Sequence, residues 1–475
     1  MKTLLDFEPQ AVWKFFDLIC SIPHPSGHEA ALADRLAGIA VEHGLSVRRD
    51  DAGNLRIDRK AAPGFENRPT ILLQAHLDMV PVADDPGFDF LTMPISTWID
   101  GDWLRAKGTA LGADNGIGVA LAMAVLCEPD LKCGALAGIF TVDEEVGLTG
   151  ASALAGELLE GKYLLNLDGG PDGDACIGCA GGGRTEFDFV PEYESEVSGH
   201  PVQIALSGLP GGHSGICIHE NRGNAVKALS DFLLEHPEIR LSSFEAGGAD
   251  NAIPAEGVVS GCFDGDFEAL QQSAVLAGAV LGRELARDGI KFTVTALSEM
   301  PEKVWSRDFQ HRLLVALSLA PNGVMKMDEQ LNIVHTSSNL AAVFFENGSV
   351  RVRSSQRSLD DEQRELTTGM LSTHFASFGA SAAVGNCYPG WTPQQDSKLV
   401  RVCAELWEKR SGQPMSLRAI HAGLETGAFC KKNPDLELIS IGPEAHGCHT
   451  PAEHLSIAST ERFYDYLVEV ITALD

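Results

Sequence analysis

The sequence predicts an α/β protein: a domain with a mainly parallel mixed sheet between helices, into which a second domain of α+β type is inserted. Apolar runs of strand length alternate with helical stretches in the first part of the chain, as in TILLQAHLDMV, GIGVALAMAVL, LAGIFTV and KYLLNLD. This alternation is typical of parallel sheets covered by helices. Near residue 185 it gives way to polar, alternating strands, and near residue 385 it returns. We therefore expect residues 1–185 and 385–475 to form one domain and residues 186–384 the insert.

Periodicity and turn signals place the individual elements. Apolar residues at three-and-four spacing predict helices at the start of the chain, and LSVRRD and NLRIDR predict a hairpin joined through residues 51–53. The insert reads as strands and helices in the segments PVQIALSG, NAVKALSDFLLEH, GVVSGCF, FEALQQSAVLAGAVLGRELA and KFTVTAL. After residue 385 we expect the helix SKLVRVCAELWEK, the strand LELISIG and a terminal helix. TPAE also has the pattern of a helix start, with Thr450 as its N-cap.

Composition excludes several classes of protein. At 44% hydrophobic and 21% charged residues the chain has enough apolar surface to fold without disulfides. A formal net charge of −30 argues against binding to nucleic acid or to an anionic membrane surface. Eleven cysteines are an odd number for a disulfide framework, and no apolar run is long enough to span a membrane. The first residues lack the pattern of a signal peptide, so we expect a cytoplasmic protein.

Five segments end in carboxylate or imidazole side chains where strands or glycine-rich turns end. They contribute His76 and Asp78, Asp114, the Asp143–Glu145 run, Asp168, and a late pair formed by His446 and His449. Because the carboxyl ends of strands in an open α/β sheet line one crevice, these groups are expected to converge. Converging carboxylates repel one another unless a proton or a cation lies between them. The sequence therefore predicts a metal site.

The residue types narrow the choice of ion. Imidazole mixed with carboxylate favours zinc, with cobalt or manganese as alternatives, over calcium or magnesium. Two histidines with three or more carboxylates exceed the needs of one tetrahedral ion but suit two divalent ions that share a bridging carboxylate, an arrangement found in hydrolases. We expect two such ions per chain.

These motifs carry a family resemblance. HLDMV, GADNG, DEEVG, NLD and HTPAE resemble the M20 metallopeptidase family. Within it, GTALGADNGIG, GCAGG, GLPGGHSG, YPGW, HAGLETG and SIGP are most similar to the peptidase D group, the aminoacyl-histidine or Xaa-His dipeptidases. The resemblance implies a dinuclear metallo-dipeptidase with dipeptides as its substrates. Residues 1–185 and 385–475 would be its catalytic domain, and residues 186–384 an inserted lid or dimerisation domain through which a homodimer forms.

The resemblance also implies a role for each motif residue. His76 and Asp168 would complete one metal site, Glu145 and His449 the other, and Asp114 would bridge both. His446 is the rival of His449 on spacing alone. A cis peptide is implied between Asp114 and the residue that follows it.

Two further acidic residues belong to the catalytic steps that the family implies. Glu144 would be the general base that takes a proton from a metal-bridged water, and Asp78 would orient His76. Residues 76 and 78 point to the same side of an extended chain, and a ligating histidine usually donates its other ring N–H to a carboxylate or carbonyl. Glu425, in HAGLETG, is a further carboxylate that stays unassigned.

Substrate contacts are implied in the insert and in HAGLETG. His213 would polarise the scissile carbonyl, acting in the partner subunit's site if the dimer forms, and Asn251 would touch the substrate. Arg353 would bind the substrate carboxylate, with Arg357 as a competitor in the same strand pattern. Gly423 would let the backbone approach the substrate, although an ordinary turn glycine explains it equally well.

Other functions on the same scaffold stay open at this stage. An M20-type deacylase, tripeptidase or carboxypeptidase would share these ligands, and so would a catalytically inactive M20-like binding protein. The complete set of ligands and base favours an enzyme over the binding protein. The sequence does not choose the side-chain preference or the native metal.

Overall fold

The computed structural model describes residues 3–194 and 197–474. The chain divides into two compact units, a catalytic unit (Met1–Cys179, Trp391–Ala419 and Leu424–Asp475) and an inserted unit (Ala180–Gly390 and Ile420–Gly423). The chain enters and leaves the inserted unit close to the expected residues 185 and 385. The short excursion at residues 420–423 was not anticipated, because four residues are too few to show a pattern.

The described residues form helices and strands in both units. The helices are α1 (Gln10–Ser21), α2 (Ala30–Glu42), α3 (Ala113–Leu126), α4 (Thr149–Ala153), α5 (Ala225–Glu235), α6 (Phe267–Glu284), α7 (Arg307–Leu319), α8 (Asp361–Ser377), α9 (Lys398–Ser411), α10 (Glu425–Lys432) and α11 (Ile457–Ala473). The strands of the catalytic unit that precede the insert are β1 (Ser46–Arg49), β2 (Leu55–Arg59), β3 (Ile71–His76), β4 (Thr97–Asp100), β5 (Trp103–Ala106), β6 (Leu136–Thr141), β7 (Tyr163–Asn166) and β8 (Asp174–Cys179).

The remaining strands belong to the insert and to the C-terminal part of the catalytic unit. Those of the insert are β9 (Gly181–Phe189), β10 (Tyr193–Glu194), β11 (His200–Ser207), β12 (Ile239–Gly247), β13 (Gly257–Phe263), β14 (Lys291–Ala296), β15 (Val304–Trp305), β16 (Gly323–Asp328), β17 (Ile333–Glu346), β18 (Ser349–Ser358) and β19 (Ser381–Tyr388). Those that follow are β20 (Ser416–Ile420), β21 (Glu437–Ser440), β22 (Ala445–His446) and β23 (His454–Ser456).

The catalytic unit contains a mixed sheet with the strand order β1-β2-β6-β3-β7-β21-β8-β20. Its centre is parallel: β3 pairs in parallel with both β6 and β7, and β7 pairs in parallel with β21. The expected hairpin forms the antiparallel edge, where β1 pairs with β2. β3, β6 and β7 are buried along their whole length, which explains their continuous apolar sequences. Their carboxyl ends lie side by side and carry the predicted ligands.

The inserted unit contains an antiparallel sheet flanked by helices α5 to α8, which is the α+β architecture expected for it. Its strand order is β14-β11-β13-β12-β17-β18-β9-β19, and β16 pairs with β17. Alternate residues of β9 and β11 are buried, as the polar alternation of their sequences predicts. Across both units, no described helix combines the length and the apolar character that crossing a membrane requires.

One local prediction is wrong. Residues Thr450–Glu453 form a turn, and the terminal helix begins only at Ile457, where Ser456 accepts a hydrogen bond from Ser459 N–H. Thr450 Oγ1 donates to Gly447 O at 2.7 Å instead of capping a helix. In a capping box the Glu453 carboxylate would accept the backbone N–H of Thr450. It instead accepts backbone N–H groups elsewhere in the unit.

Candidate metal centre

Four of the predicted ligands meet around Asp114. Its two carboxylate oxygens face different histidines: Oδ1 lies 3.0 Å from His76 Nε2, and Oδ2 lies 3.2 Å from His449 Nε2. Beyond them, His76 Nε2 lies 3.8 Å from Asp168 Oδ1, and His449 Nε2 lies 2.8 Å from Glu145 Oε1. One carboxylate therefore stands between two ligand sets, which is the arrangement that two ions with a shared bridge require.

The chemistry of this cluster fits divalent metal ions. Ligand atoms of His76, Asp114 and Glu145 all lie within 4.8 Å of one another. Glu145 Oε1 is buried, and the group that faces it is the imidazole of His449, itself a predicted metal ligand. Burial, and after it the charge of Asp114, raises the pKa of Asp168 well above its ordinary value. A cation between these carboxylates would relieve that effect.

The same carboxylates raise the pKa values of the two histidines. Burial lowers the pKa of His76, but hydrogen bonds with Asp114 and Asp78 outweigh it and raise that pKa well above its ordinary value. Hydrogen bonds with Asp114 and Glu145 raise the pKa of His449 to about 10. Without a metal, protons therefore supply the positive charge that the cluster needs.

His446 is not part of this cluster. Its Nε2 lies 2.9 Å from Glu444 Oε1, and its ring packs beside Trp103, with centroids 5.6 Å apart. His449 takes the ligand position from a turn in which its φ is +63°. Of the two histidines, His449 is therefore the one that lies beside the predicted carboxylate ligands.

Asp78 supports both His76 and the loop that carries Glu144 and Glu145. His76 Nδ1 is 3.0 Å from the Asp78 carbonyl oxygen and 3.4 Å from its Oδ1, so the backbone carbonyl shares the orienting role. The Asp78 carboxylate accepts hydrogen bonds from the N–H groups of Glu144 at 2.9 Å and Glu145 at 3.1 Å. Ser26 Oγ donates to it at 2.8 Å. This second function of Asp78 was missed because the sequence does not show where the loop returns.

Glu144 lies beside the ligands without contacting them as closely. Burial raises its pKa to about 8, although the charge of His76 opposes this, and the charges of Glu425 and Glu145 add to it. The adjacent glutamates thus have different surroundings: Glu145 faces His449, and Glu144 is a half-buried acid with a pKa close to neutrality. That is the range in which a general base works best.

Two carboxylates outside the predicted set hold the backbone of the site. Glu453 accepts hydrogen bonds from the N–H groups of Leu111 at 2.7 Å, Gly112 at 2.9 Å and Asp114 at 3.2 Å. Glu29 Oε1 accepts from Asp143 N–H at 3.1 Å. No sequence pattern links these partners, since they are far apart in the chain.

Asp168 is held by the residue that follows Asp114. Asn115 Nδ2 donates to Asp168 Oδ1 at 2.5 Å and to Leu167 O at 3.3 Å. The peptide between Asp114 and Asn115 is cis, as the family resemblance implies. The two ligands are therefore connected through one amide side chain.

In the inserted unit, the hydrogen bonds of the His213 ring make its Nε2 the donor. Its Nδ1 accepts the N–H groups of Gly215 at 3.2 Å and Ile216 at 3.1 Å, so the neutral ring carries its proton on Nε2. Burial, followed by the charge of Arg357, lowers its pKa. Asn251 has an exposed side chain, and its carbonyl accepts a hydrogen bond from Ser214 N–H at 2.8 Å.

The arginines Arg353 and Arg357 have different hydrogen-bond partners. Arg353 donates from Nε at 3.0 Å and from Nη2 at 2.9 Å to Glu186 Oε1, so its charge is already paired. Arg357 is buried, donates to Tyr388 Oη at 2.6 Å, and its Nε has no hydrogen-bond partner among the described residues. The guanidinium of Arg353 is therefore paired within the sheet, whereas Arg357 keeps an unpaired N–H, and which of the two binds a substrate carboxylate stays a prediction.

Two residues of HAGLETG pack within the inserted unit. A Cβ added at Gly423 would lie 2.6 Å from the Tyr388 ring, so the glycine there makes room for that ring. This packing accounts for Gly423 without a substrate. His421, which the sequence did not single out, is buried with its Nε2 2.7 Å from Ser337 Oγ.

Comparison with known proteins agrees with this geometry. The model of peptidase family M20/M25/M40 matches residues 72–473. The cytosol non-specific dipeptidase of Escherichia coli (strain K12) is 37% identical over 486 residues, covering 99% of each chain. The crystal structure of aminoacylhistidine dipeptidase from Vibrio alginolyticus superposes with a TM-score of 0.90 at 37% identity, covering 100% of this chain and 98% of that one. Aminopeptidase PepT from Bacillus cereus ATCC 10987 shares the fold, with a TM-score of 0.58 at 17% identity and 98% of each chain covered. The chain therefore belongs to peptidase family M20/M25/M40.

Proposed function

We propose that this chain is a dinuclear metallo-dipeptidase that hydrolyses dipeptides, either of the Xaa-His type or of broad specificity. The position of Asp114 carries the proposal. Each of its two carboxylate oxygens faces one histidine, and each of those histidines lies beside a further carboxylate. The full-length similarity to two dipeptidases supports the same substrate class.

The ligand sets assign a place to each ion. His76 and Asp168 would hold one, Glu145 and His449 the other, with Asp114 shared. Imidazole and carboxylate together suit zinc, with cobalt and manganese as alternatives. When bound, two such ions polarise a peptide carbonyl and make water a nucleophile at neutral pH.

Glu144 would move the proton. Its carboxylate takes a proton from the attacking water and delivers it to the leaving amine, a transfer that a pKa near neutrality allows in both directions. Its position depends on the hydrogen bond from its N–H to Asp78. Because Glu145 next to it serves as a ligand, the two roles are divided between adjacent residues.

The inserted unit would supply the remaining polar groups. His213 would donate from Nε2 to the carbonyl oxygen as negative charge develops there. Arg357 is the better candidate for the substrate α-carboxylate, since Arg353 is paired with Glu186. Asn251 is proposed as a further substrate contact. The proposed assembly is a homodimer through this unit, with His213 acting in the partner's site, and the proposed location is the cytoplasm.

A substrate panel tests the proposal. Metal-free protein is reconstituted with zinc, manganese or cobalt and assayed on dipeptides with and without a C-terminal histidine, on tripeptides and on N-acetyl amino acids. We expect turnover of dipeptides, and Glu144→Gln protein prepared in parallel serves as the control for contaminating peptidases. Turnover confined to tripeptides or N-acetyl amino acids would replace the dipeptidase with another hydrolase of the same family. No turnover of any substrate would favour a binding protein.

A further inference from the structure

A buried polar network lies directly beneath the metal ligands. Gln74 on β3, Thr141 on β6 and Asn166 on β7 are at or next to the carboxyl ends of three adjacent parallel strands, and each is at most 1% exposed. The ligand His76 ends β3, and Asp168 follows β7 by two residues. Side chains two apart on a strand point to the same face, so Gln74 lies in the layer below His76.

Glu425 joins these strands. Its Oε2 accepts hydrogen bonds from Gln74 Nε2 at 2.5 Å and from Thr141 Oγ1 at 2.8 Å. Gln74 in turn accepts from Asn166 Nδ2 at 2.5 Å. Side-chain hydrogen bonds therefore connect β7 to β3, and the Glu425 carboxylate of α10 accepts hydrogen bonds from both β3 and β6.

Stability alone does not explain this carboxylate. A glutamate in the first turn of a helix is normally exposed, where it interacts favourably with the helix dipole, but Glu425 is only 2% exposed. Its Oε1 is buried and has no hydrogen-bond partner among the described residues. A partly satisfied buried polar network is less favourable than apolar packing of the same volume, so its presence needs a reason other than packing.

We propose that Glu425 is a positioning residue that fixes β3 and β6 relative to each other beneath the metal centre. The backbone pairing of β3 and β6 sets the register of His76 beside Thr141, and the hydrogen bonds of Glu425 would steady the ends of these strands, from which His76 and the Glu144–Glu145 pair extend. This inference rests on the proposed function and assigns a role to a residue that touches neither substrate nor metal. Residues that orient ligands in this way typically contribute about 10–100-fold to metal affinity or activity.

The test compares three variants by zinc affinity and by steady-state kinetics. Glu425→Ala removes both hydrogen bonds to the carboxylate, and Glu425→Gln keeps an acceptor for Gln74 and Thr141. Thr141→Val removes, at nearly constant shape, the hydrogen bond that Thr141 donates to Glu425 and the one that it accepts from Gln74 at 3.2 Å. Zinc affinity is measured by competition with a chromophoric chelator, so that the readout does not depend on turnover. We expect Glu425→Ala to lose about 10–100-fold in zinc affinity and to lower kcat with little change in KM. Glu425→Gln should restore most of both, and Thr141→Val should be intermediate.

Tyr466→Phe is the matched control for lost stability. Tyr466 is buried in α11 of the same unit and donates to Cys403 O at 2.8 Å. Its loss should lower the melting temperature without changing zinc affinity. If Tyr466→Phe weakens zinc binding as much as Glu425→Ala does, the effect of Glu425 is general destabilisation and the proposal fails.

The remaining outcomes also decide the matter. Glu425→Ala protein with wild-type zinc affinity and kcat would overturn the positioning role while leaving the dipeptidase proposal intact. If Glu425→Ala does not fold, wild-type zinc affinity in Thr141→Val overturns the role instead. Wild-type protein that binds no zinc would contradict the proposed function itself, whatever Glu425 does.

Discussion

The Glu453 carboxylate offers a sharp test of how the bridging ligand is held. It accepts three backbone N–H groups from the segment that leads into Asp114, and it is only 1% exposed. Glu453→Ala leaves all three donors without an acceptor. Glu453→Gln can keep the pair from Leu111 and Gly112 on its amide oxygen, but its NH₂ group then faces the N–H of Asp114.

The expected losses follow from counting donors. A buried donor left without a partner costs about 1–3 kcal/mol, so three cost about 3–9 kcal/mol. We expect Glu453→Ala to fall in the lower half of that range, because water can enter the vacated space. Glu453→Gln leaves one donor without an acceptor and should lower the free energy of unfolding by about 1–3 kcal/mol.

Denaturant unfolding of metal-free protein, followed by circular dichroism, measures these losses. Because the chain has two compact units, the comparison uses the transition that belongs to the catalytic unit. Glu461→Ala, which removes an exposed glutamate from α11, is the control and should change stability by less than about 0.5 kcal/mol. A Glu453→Ala free energy of unfolding within about 1 kcal/mol of wild type would refute the reasoning, as would a larger loss for Gln than for Ala.

Other substitutions test the assigned roles. Glu144→Gln should lower kcat by about 10²–10⁴-fold while both metals stay bound, and near-normal turnover would exclude it as the base. Asp114→Ala should lose metal as well as activity, and retention of two tightly held ions would rule out the bridge. Arg357→Ala should raise KM for dipeptides far more than Arg353→Ala does, and the reverse order would return the carboxylate anchor to Arg353. Mixed heterodimers of Glu144→Gln and His213→Ala should recover up to half of wild-type activity, whereas no recovery in verified heterodimers would place His213 outside the partner's site.

The ligand set could be predicted because it depends on a general feature of α/β folds. His76 and Asp168 stand at or just beyond the ends of buried apolar strands, and such strands are recognisable from their sequences. Asp114 lies in the first turn of α3, just before the apolar run of residues 116–126, and that transition is equally visible in the sequence. Local sequence patterns therefore identified the residues that are proposed to bind the metals.

The supporting residues could not be predicted, because their partners are distant in the chain. Glu453 follows His449 in a motif that reads as a helix start, yet it binds the backbone at residues 111–114. Arg353 and Arg357 share one local pattern, and their tertiary neighbours distinguish them: Glu186 beside Arg353 and Tyr388 beside Arg357. Side chains that serve a site through tertiary contacts leave no periodic signal.

Metal stoichiometry tests the central claim most directly. Purified protein, reconstituted with zinc and freed of excess ion, is analysed by elemental mass spectrometry against an accurate protein concentration. The shared position of Asp114 between two ligand sets predicts two zinc ions per chain in the wild type. A ratio of one, or of none, would contradict the dinuclear site on which the proposed dipeptidase depends.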